Sequence, residues 1–347
     1  MQHIYSVLMN SYVPHKSVLY WLYLGIFLVM LMVVVGGMTR LTHSGLSMVH
    51  WSITGSVPPL NNDDWEEEFS RYRQSPEYKE LHSHFTLEDF KSIYWWEYVH
   101  RLLGRLLGLV FIVPFAIFLF RSAIPRRLLG WFAAIFAMGL FQGLLGWYMV
   151  QSGLVDVPRV SHYRLAAHLT TAFVTCIIIF WTTLRYRFGN LLRLDRLNVG
   201  ATLFIVLILL QVVFGGFVAG LRAGWVHNTW PLMDGHFITP AATVMEPWWK
   251  NFLENKSGVQ VVHRMLGYLI LAGALVMVLI HKNRASYTLL GAIALQVTFG
   301  VLTLLLQVPV WLAVVHQVFA LVVLLSAVYL LHQLSTKAIT GQSSERT

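Results

Sequence analysis

The sequence predicts an all-α membrane protein: eight transmembrane helices forming two tandem four-helix bundles, related by a pseudo-twofold axis along the membrane normal. Three observations predict it. The composition is strongly apolar, eight runs reach membrane length, and the last four runs repeat landmarks of the first four.

Of the 347 residues, 56% are hydrophobic and 12% charged, and the mean hydropathy is +0.61; soluble domains carry roughly 25% charged residues. The formal net charge of +9 would suggest an acidic partner in a soluble protein. Here the basic residues sit in short turns between apolar runs, where they set orientation, so nucleic acid is not an expected partner and membrane lipid is. The lone cysteine, Cys176, lies within an apolar run, which excludes an intrachain disulfide and a cysteine-based metal cluster. The first seventeen residues lack the apolar core and cleavage site of a secretory signal and the Arg-rich bias of a transit peptide. A bacterial inner (plasma) membrane is the expected location.

A span needs ~20 apolar residues, and the segments that qualify run from about 18 to 38, 98 to 120, 128 to 150, 165 to 184, 199 to 219, 260 to 280, 286 to 306 and 310 to 333. Arg121, Arg126 and Arg127, then Arg185, Arg187, Arg193 and Arg196, then Lys282 and Arg284 occupy alternate turns. Those turns and both termini are therefore expected on the cytoplasmic side. Two long connections, 40–97 and 221–259, face outward (the periplasm). The first mixes acids and bases, is expected to be partly helical, and ends in an interfacial segment containing Trp95 and Trp96. The second ends similarly in Pro247-Trp248-Trp249-Lys250. Such aromatic pairs are most simply headgroup-level belt residues.

The halves repeat each other. Gly36-Gly37 closes the first span and Gly215-Gly216 the fifth; His100-Arg101 opens the second and His263-Arg264 the sixth; His168 lies early in the fourth and His316 early in the eighth. Four spans per unit is an even number, so the copies share one orientation. The expected division is 1–190 and 191–347. Gln142/Gly146, Gln211/Gly215 and Gln296/Gly300 repeat a Gln-x-x-x-Gly spacing, with Met32 and Gly36 in the corresponding place of the first span. Glycines on one face are most simply packing residues that let helices approach closely, although a flat ligand would also need the space.

Most of the fifteen histidines fall at the inner side (His3, His15, His281, His332) or in outer loops (His43, His50, His82, His84, His227, His236), and His162 reads as a helix-end residue. His100, His168, His263 and His316 differ. Each sits within a turn or two of the outer end of an even-numbered apolar run, and imidazoles from two helices can hold a heme iron from both sides of a bundle. Zinc lacks three or four convergent ligands and a His-Glu-x-x-His spacing; copper lacks a Cys or Met cluster but stays open. Arg101 and Arg264 would suit heme propionates or act as snorkelling belt residues. Three residues before His100 stands Glu97, whereas Gln260 stands three before His263. A carboxylate beside a reacting porphyrin can move protons or stabilise developing charge, which marks the first half as reactive and the second as a permanent cofactor site. The competing reading is that Glu97 only caps its helix, where negative charge favours the dipole.

The residues resemble those of the heme A synthase family, in the branch that includes mitochondrial and proteobacterial enzymes. The likeness runs through Gly36-Gly37-Met38-Thr39-Arg40-Leu41-Thr42-His43-Ser44-Gly45-Leu46-Ser47-Met48, Trp51, Gly55 and Pro58-Pro59. It continues through Pro76-Glu77-Tyr78, Phe90-Lys91-Ser92-Ile93-Tyr94-Trp95, Glu97-Tyr98, His100-Arg101 and Gly146-Trp147-Tyr148-Met149-Val150. The second half contributes Gly215-Gly216-Phe217-Val218-Ala219-Gly220, Asn228-Thr229-Trp230-Pro231-Leu232-Met233 and Val262-His263-Arg264. The resemblance implies an oxidoreductase that converts the substrate heme O to heme A by oxidising a porphyrin methyl to a formyl group. It implies heme b on His263 and His316 as cofactor, a substrate half with His100 and His168, and Glu97 as the catalytic carboxylate. Arg40 and the segment Asn228 to Met233 would close over the hemes or dock partners. One departure matters: Met48 and Val49 stand where the other branch has a cysteine pair, so thiol-linked electron entry through the first outer loop is excluded. Heme O synthase, an electron donor or acceptor, and a second copy of the chain remain open as partners.

A diheme b-type electron-transfer cytochrome would explain all four histidines but not the single carboxylate. A transporter built on parallel repeats would need polar residues near the midplane, and the spans offer little besides glutamines.

Overall fold

The computed structural model describes residues 14–49, 55, 57–154, 159–188 and 198–344; His3, His50, Trp51, Arg193 and Arg196 lie outside the described residues. Ten α-helices occupy them: α1 Lys16–Leu41, α2 Asn62–Arg73, α3 Pro76–Leu81, α4 Leu87–Phe120, α5 Leu129–Leu154, α6 His162–Phe188, α7 Val199–Leu221, α8 Lys256–His281, α9 Arg284–Leu305 and α10 Val310–Ser344. All except α2 and α3 are long and apolar enough to cross a membrane. The protein is an all-α, multi-pass membrane protein.

Short polar side chains set where helices begin, because each can accept a hydrogen bond from an otherwise orphaned backbone N–H. Asn61 caps α2, Ser75 caps α3 with Pro76 at the first position, Asn198 caps α7, and Asn255 caps α8. Thr86 and Asp89 form a reciprocal capping box at the start of α4. That box corrects the expected span. The apolar run begins near Tyr98, but the helix begins eleven residues earlier, at Leu87. Its first three turns are held by an aromatic cluster in which Trp65, Phe69 and Tyr72 of α2 pack on Phe90, Ile93 and Tyr94 of α4. Hydropathy marks where a helix enters lipid, and here a soluble cap continues the same helix beyond it.

One apolar cluster spans the whole chain, drawing on α1, α5 and α6 as well as α7, α8, α9 and α10. Helices α1 and α6 pack on each other and also on α10, while α6 lies along α7. The tandem glycines explain how. A Cβ at Gly37 would lie 3.3 Å from Gln317 and Val314 of α10, and one at Gly216 would lie 2.8 Å from the Ala166 Cα of α6. The second glycine of each pair thus lets a helix from the other half approach closely. Gln317 adds a bond to this contact, donating to the Val33 carbonyl at 3.1 Å. At the C-terminal ends of both helices Arg40 of α1 donates to the Ala219 and Gly220 carbonyls of α7 at 3.0 and 3.2 Å, a cation held by the negative end of a helix.

Candidate functional site

Each of the four singled-out histidines packs against a glycine of a neighbouring helix. A Cβ at Gly36 would lie 3.3 Å from His100 Nε2, at Gly146 3.2 Å from His168 Cε1, at Gly215 3.4 Å from His263 Cε1, and at Gly300 2.8 Å from His316 Cε1. The first glycine of each tandem pair therefore makes room for an imidazole. The glutamine one turn earlier holds the same residue by its backbone. Gln142 donates to the His168 carbonyl at 3.1 Å, Gln211 to that of His263 at 3.0 Å, and Gln296 to that of His316 at 3.0 Å. Gln-x-x-x-Gly is a histidine cradle read on one helix face, since positions four apart lie one above the other. His100 alone has Met32 in place of the glutamine.

The imidazole rings of His263 and His316 face each other with centroids 6.5 Å apart and planes at 77°. Two metal–nitrogen bonds of roughly 2 Å, with the half-width of each ring added, span about 6 Å. The Nδ1 atoms of His168, His263 and His316 are buried without a hydrogen-bond partner among the described residues. An unsatisfied buried nitrogen is costly, so donor type, spacing and orphaned nitrogens all fit an iron porphyrin. No group of three or more His, Cys, Asp or Glu side chains converges among the described residues.

His100 and His168 line one cavity of about 1150 Å³, shared with Met32, Gly36, Glu97, Arg101 and Gly146. That exceeds the roughly 300–1,000 Å³ that takes a drug-sized ligand and suits a macrocycle. Apolar residues of α1, α4 and α5, among them Val29, Phe111 and Ile135, line its walls.

Glu97 is 2% exposed and does not cap its helix; Thr86 does. Its Oε2 accepts from the Ser47 hydroxyl at 2.7 Å and the Met48 N–H at 2.8 Å, and its Oε1 accepts from Arg101 at 2.5 Å. Arg101 also donates to the Met48 carbonyl at 3.0 Å. The carboxylate and the arginine one turn later thus fasten the segment after α1 to α4. In the second half Gln260 donates to the carbonyls of Ala223 (3.0 Å) and His227 (3.4 Å), and Arg264 to those of His227 and Thr229, both at 3.0 Å. Asn228 fastens the loop between α7 and α8 to α9 through the Leu304 carbonyl at 2.8 Å.

Residues 19–328 match the family described as cytochrome oxidase assembly protein, COX15-CtaA. The chain belongs to this family. Proteins named heme A synthase from Flavobacterium psychrophilum and Nitrosospira multiformis are 46% and 45% identical to it, over 92% and 94% of this chain and 99% and 95% of theirs. One from Bradyrhizobium diazoefficiens is 42% identical over 93% of each chain.

Within this family fold, several residues near the cavity escape sequence reasoning. Arg222, in the left-handed conformation at the end of α7, donates to His43 Nδ1 at 3.0 Å. Burial, with Arg222 and Arg40 beside it, lowers His43 to about 4, so its ring is neutral and can accept. Glu77, in the short helix α3, is 4% exposed and lines the cavity near Glu97. Its place in Pro76-Glu77-Tyr78 is the one sequence signal that it had. His82 and His227, which look like ordinary loop histidines, are both committed: His82 to the Tyr72 hydroxyl (2.7 Å), and His227 to Asp234 (2.6 Å) and Ser257 (2.9 Å).

Proposed function

We propose that the chain is a membrane oxidoreductase of heme A biosynthesis that converts heme O to heme A by oxidising a porphyrin methyl to a formyl group. The observation that carries this reading is the pairing of unlike sites. His263 and His316 form a two-imidazole clamp, whereas His100 and His168 open on a macrocycle-sized cavity whose wall includes a buried carboxylate. The heme A synthases at up to 46% identity support it.

In this reading residues 191–347 hold a heme b between His263 and His316, and residues 1–190 receive the substrate. Bound there, heme b supplies one-electron transfer. His100 and His168 position the substrate iron. Glu97 presents fixed negative charge where positive charge develops on the porphyrin, and its three donors keep it from swinging away. Arg101 anchors the carboxylate to the loop through the Met48 carbonyl, and Arg264 performs the same anchoring without a carboxylate. The outer ends of the helices, with Arg40 and the loop from Asn228 to Met233, close the sites toward the periplasm of a bacterial inner membrane. Both termini lie in the cytoplasm in this reading, which the basic residues in alternate turns support.

The experiment is pigment extraction from the purified protein made in cells that supply heme O. The expected content is heme b together with heme O or heme A, and Glu97→Gln retains heme b but yields no heme A. Heme b alone in both sites of the wild-type protein would instead establish an electron-transfer cytochrome.

A further inference from the structure

We infer that Glu77 is the proton-exchange group of the cavity, and that Tyr72 and His82 carry its proton to the outer surface; this rests on the cavity being the site of porphyrin oxidation. As the methyl carbon takes an oxygen atom from water and becomes a formyl carbon, the electrons of its C–H bonds leave to an electron acceptor, and the protons released from the methyl group and the water must leave the cavity as well. Glu97 is poorly placed to take them, because both of its oxygens already accept from Ser47, Met48 and Arg101. Glu77 lines the same cavity and accepts one short-range bond, from the Tyr72 hydroxyl at 3.1 Å. The same hydroxyl lies 2.7 Å from His82 Nδ1. His82 ends the short helix, keeps 9% of its surface exposed, and is followed by exposed Ser83 and His84.

A single hydroxyl between a carboxyl group and an imidazole can be polarised in two ways. With Glu77 protonated, its O–H donates to Tyr72 and Tyr72 donates to His82 Nδ1, leaving the proton of that ring on Nε2. With Glu77 ionised, Tyr72 donates to Glu77 and His82 donates from Nδ1. Passing from the first arrangement to the second moves the Glu77 proton to Tyr72, the Tyr72 proton to His82, and the Nε2 proton to water. One proton leaves the cavity and no bond other than O–H and N–H changes.

The surroundings set the working range. Burial is the main cause that raises Glu77 to about 8, and the charge of Glu97 adds to it, while the Tyr72 bond and Arg222 oppose it. Besides Tyr72 from α2, Glu97 from α4, Arg222 from the end of α7 and His82, the polar wall of the cavity includes Arg40, His43 and Arg159. Burial lowers His82, so its ring stays neutral and free to relay. A carboxyl poised near the ambient pH is the efficient kind of proton carrier.

The full-length protein in nanodiscs, loaded with its resident heme, tests this in two ways. Infrared difference spectra recorded across a pH titration should show a protonated-carboxyl band that disappears with a midpoint near pH 8. That band should be absent from Glu77→Gln and shifted in Tyr72→Phe, which keeps the ring packing on Phe90 and Tyr78. Heme A formation should fall about 100-fold or more in both variants, with the resident heme spectrum unchanged. A band that persists in Glu77→Gln, or variants that match the wild-type rate and pH profile, would overturn the relay. Failure of the wild-type protein to make any formyl porphyrin would overturn the proposed reaction instead, and the infrared result would still decide whether Glu77 titrates.

Discussion

Glu97 with Arg101, and Gln260 with Arg264, occupy corresponding places around His100 and His263, yet they grip the preceding loop with opposite polarity. Glu97 accepts from a hydroxyl and an N–H; Gln260 donates to two carbonyls. In both places the arginine donates to a loop carbonyl, Met48 in one and His227 in the other. The difference teaches that the carboxylate has two duties. It is the tether of the segment after α1, as Gln260 is of the segment after α7, and it is also a buried charge that has no counterpart at Gln260. Activity loss on changing Glu97 therefore does not by itself prove chemistry, and stability has to be measured beside it.

The comparison breaks most sharply at the histidines. His263→Ala or His316→Ala should abolish the visible spectrum of the resident heme in purified protein, because one imidazole of a facing pair is lost. His100→Ala should keep that spectrum while product formation stops. Loss of the resident heme in His100→Ala would mean that the two sites are not separate.

Next come the tethers. Glu97→Ala leaves the Arg101 guanidinium, 11% exposed, without its buried partner, a loss of ~3–5 kcal/mol. Gln260→Ala removes two bonds to neutral carbonyls that each keep another donor, Arg264 on His227 and the Val226 N–H on Ala223, at ~1 kcal/mol. Thermal unfolding in detergent should rank the two in that order, and equal midpoints would refute the charged tether. A smaller contrast lies between Gly300→Ala and Gly215→Ala. The added methyl meets His316 Cε1 at 2.8 Å in the first and His263 Cε1 at 3.4 Å in the second. The first should cost ~1–3 kcal/mol and shift the heme absorption; the second should leave it nearly unchanged. Smallest of all, Gln142→Leu or Gln296→Leu removes one bond to a histidine carbonyl, and Gln211→Leu removes the same bond and a 3.4 Å contact with His263 Nε2, a loss of ~1 kcal/mol visible as a small fall in unfolding temperature. Met32→Leu has no such bond to lose and serves as the control.

Much of the plan is legible in the sequence. Run length and turn residues fix the membrane class, the number of spans and their approximate bounds, because a helix in lipid must satisfy its backbone internally and be apolar for its whole crossing. The matched spacing of His100, His168, His263 and His316 singles out the four rings, and Glu97 opposite Gln260 singles out the unlike pair. Even the Gln-x-x-x-Gly spacing is visible, though not its meaning.

What the tertiary structure alone decides is which face meets which partner. In helices that are apolar nearly all round, periodicity does not point to a neighbour. Nothing local distinguishes Gly36, which cradles His100, from Gly37, which admits α10. Nor does hydropathy reveal that α4 begins at Leu87 on an aromatic platform, so that Glu97 lies inside a helix rather than at its cap. Glu77 and His82 sit in a polar stretch that looks solvated, and only packing brings that carboxyl against the cavity. Sequence periodicity encodes length and polarity, whereas close approach and hydrogen-bond partners exist only once separate segments are packed together.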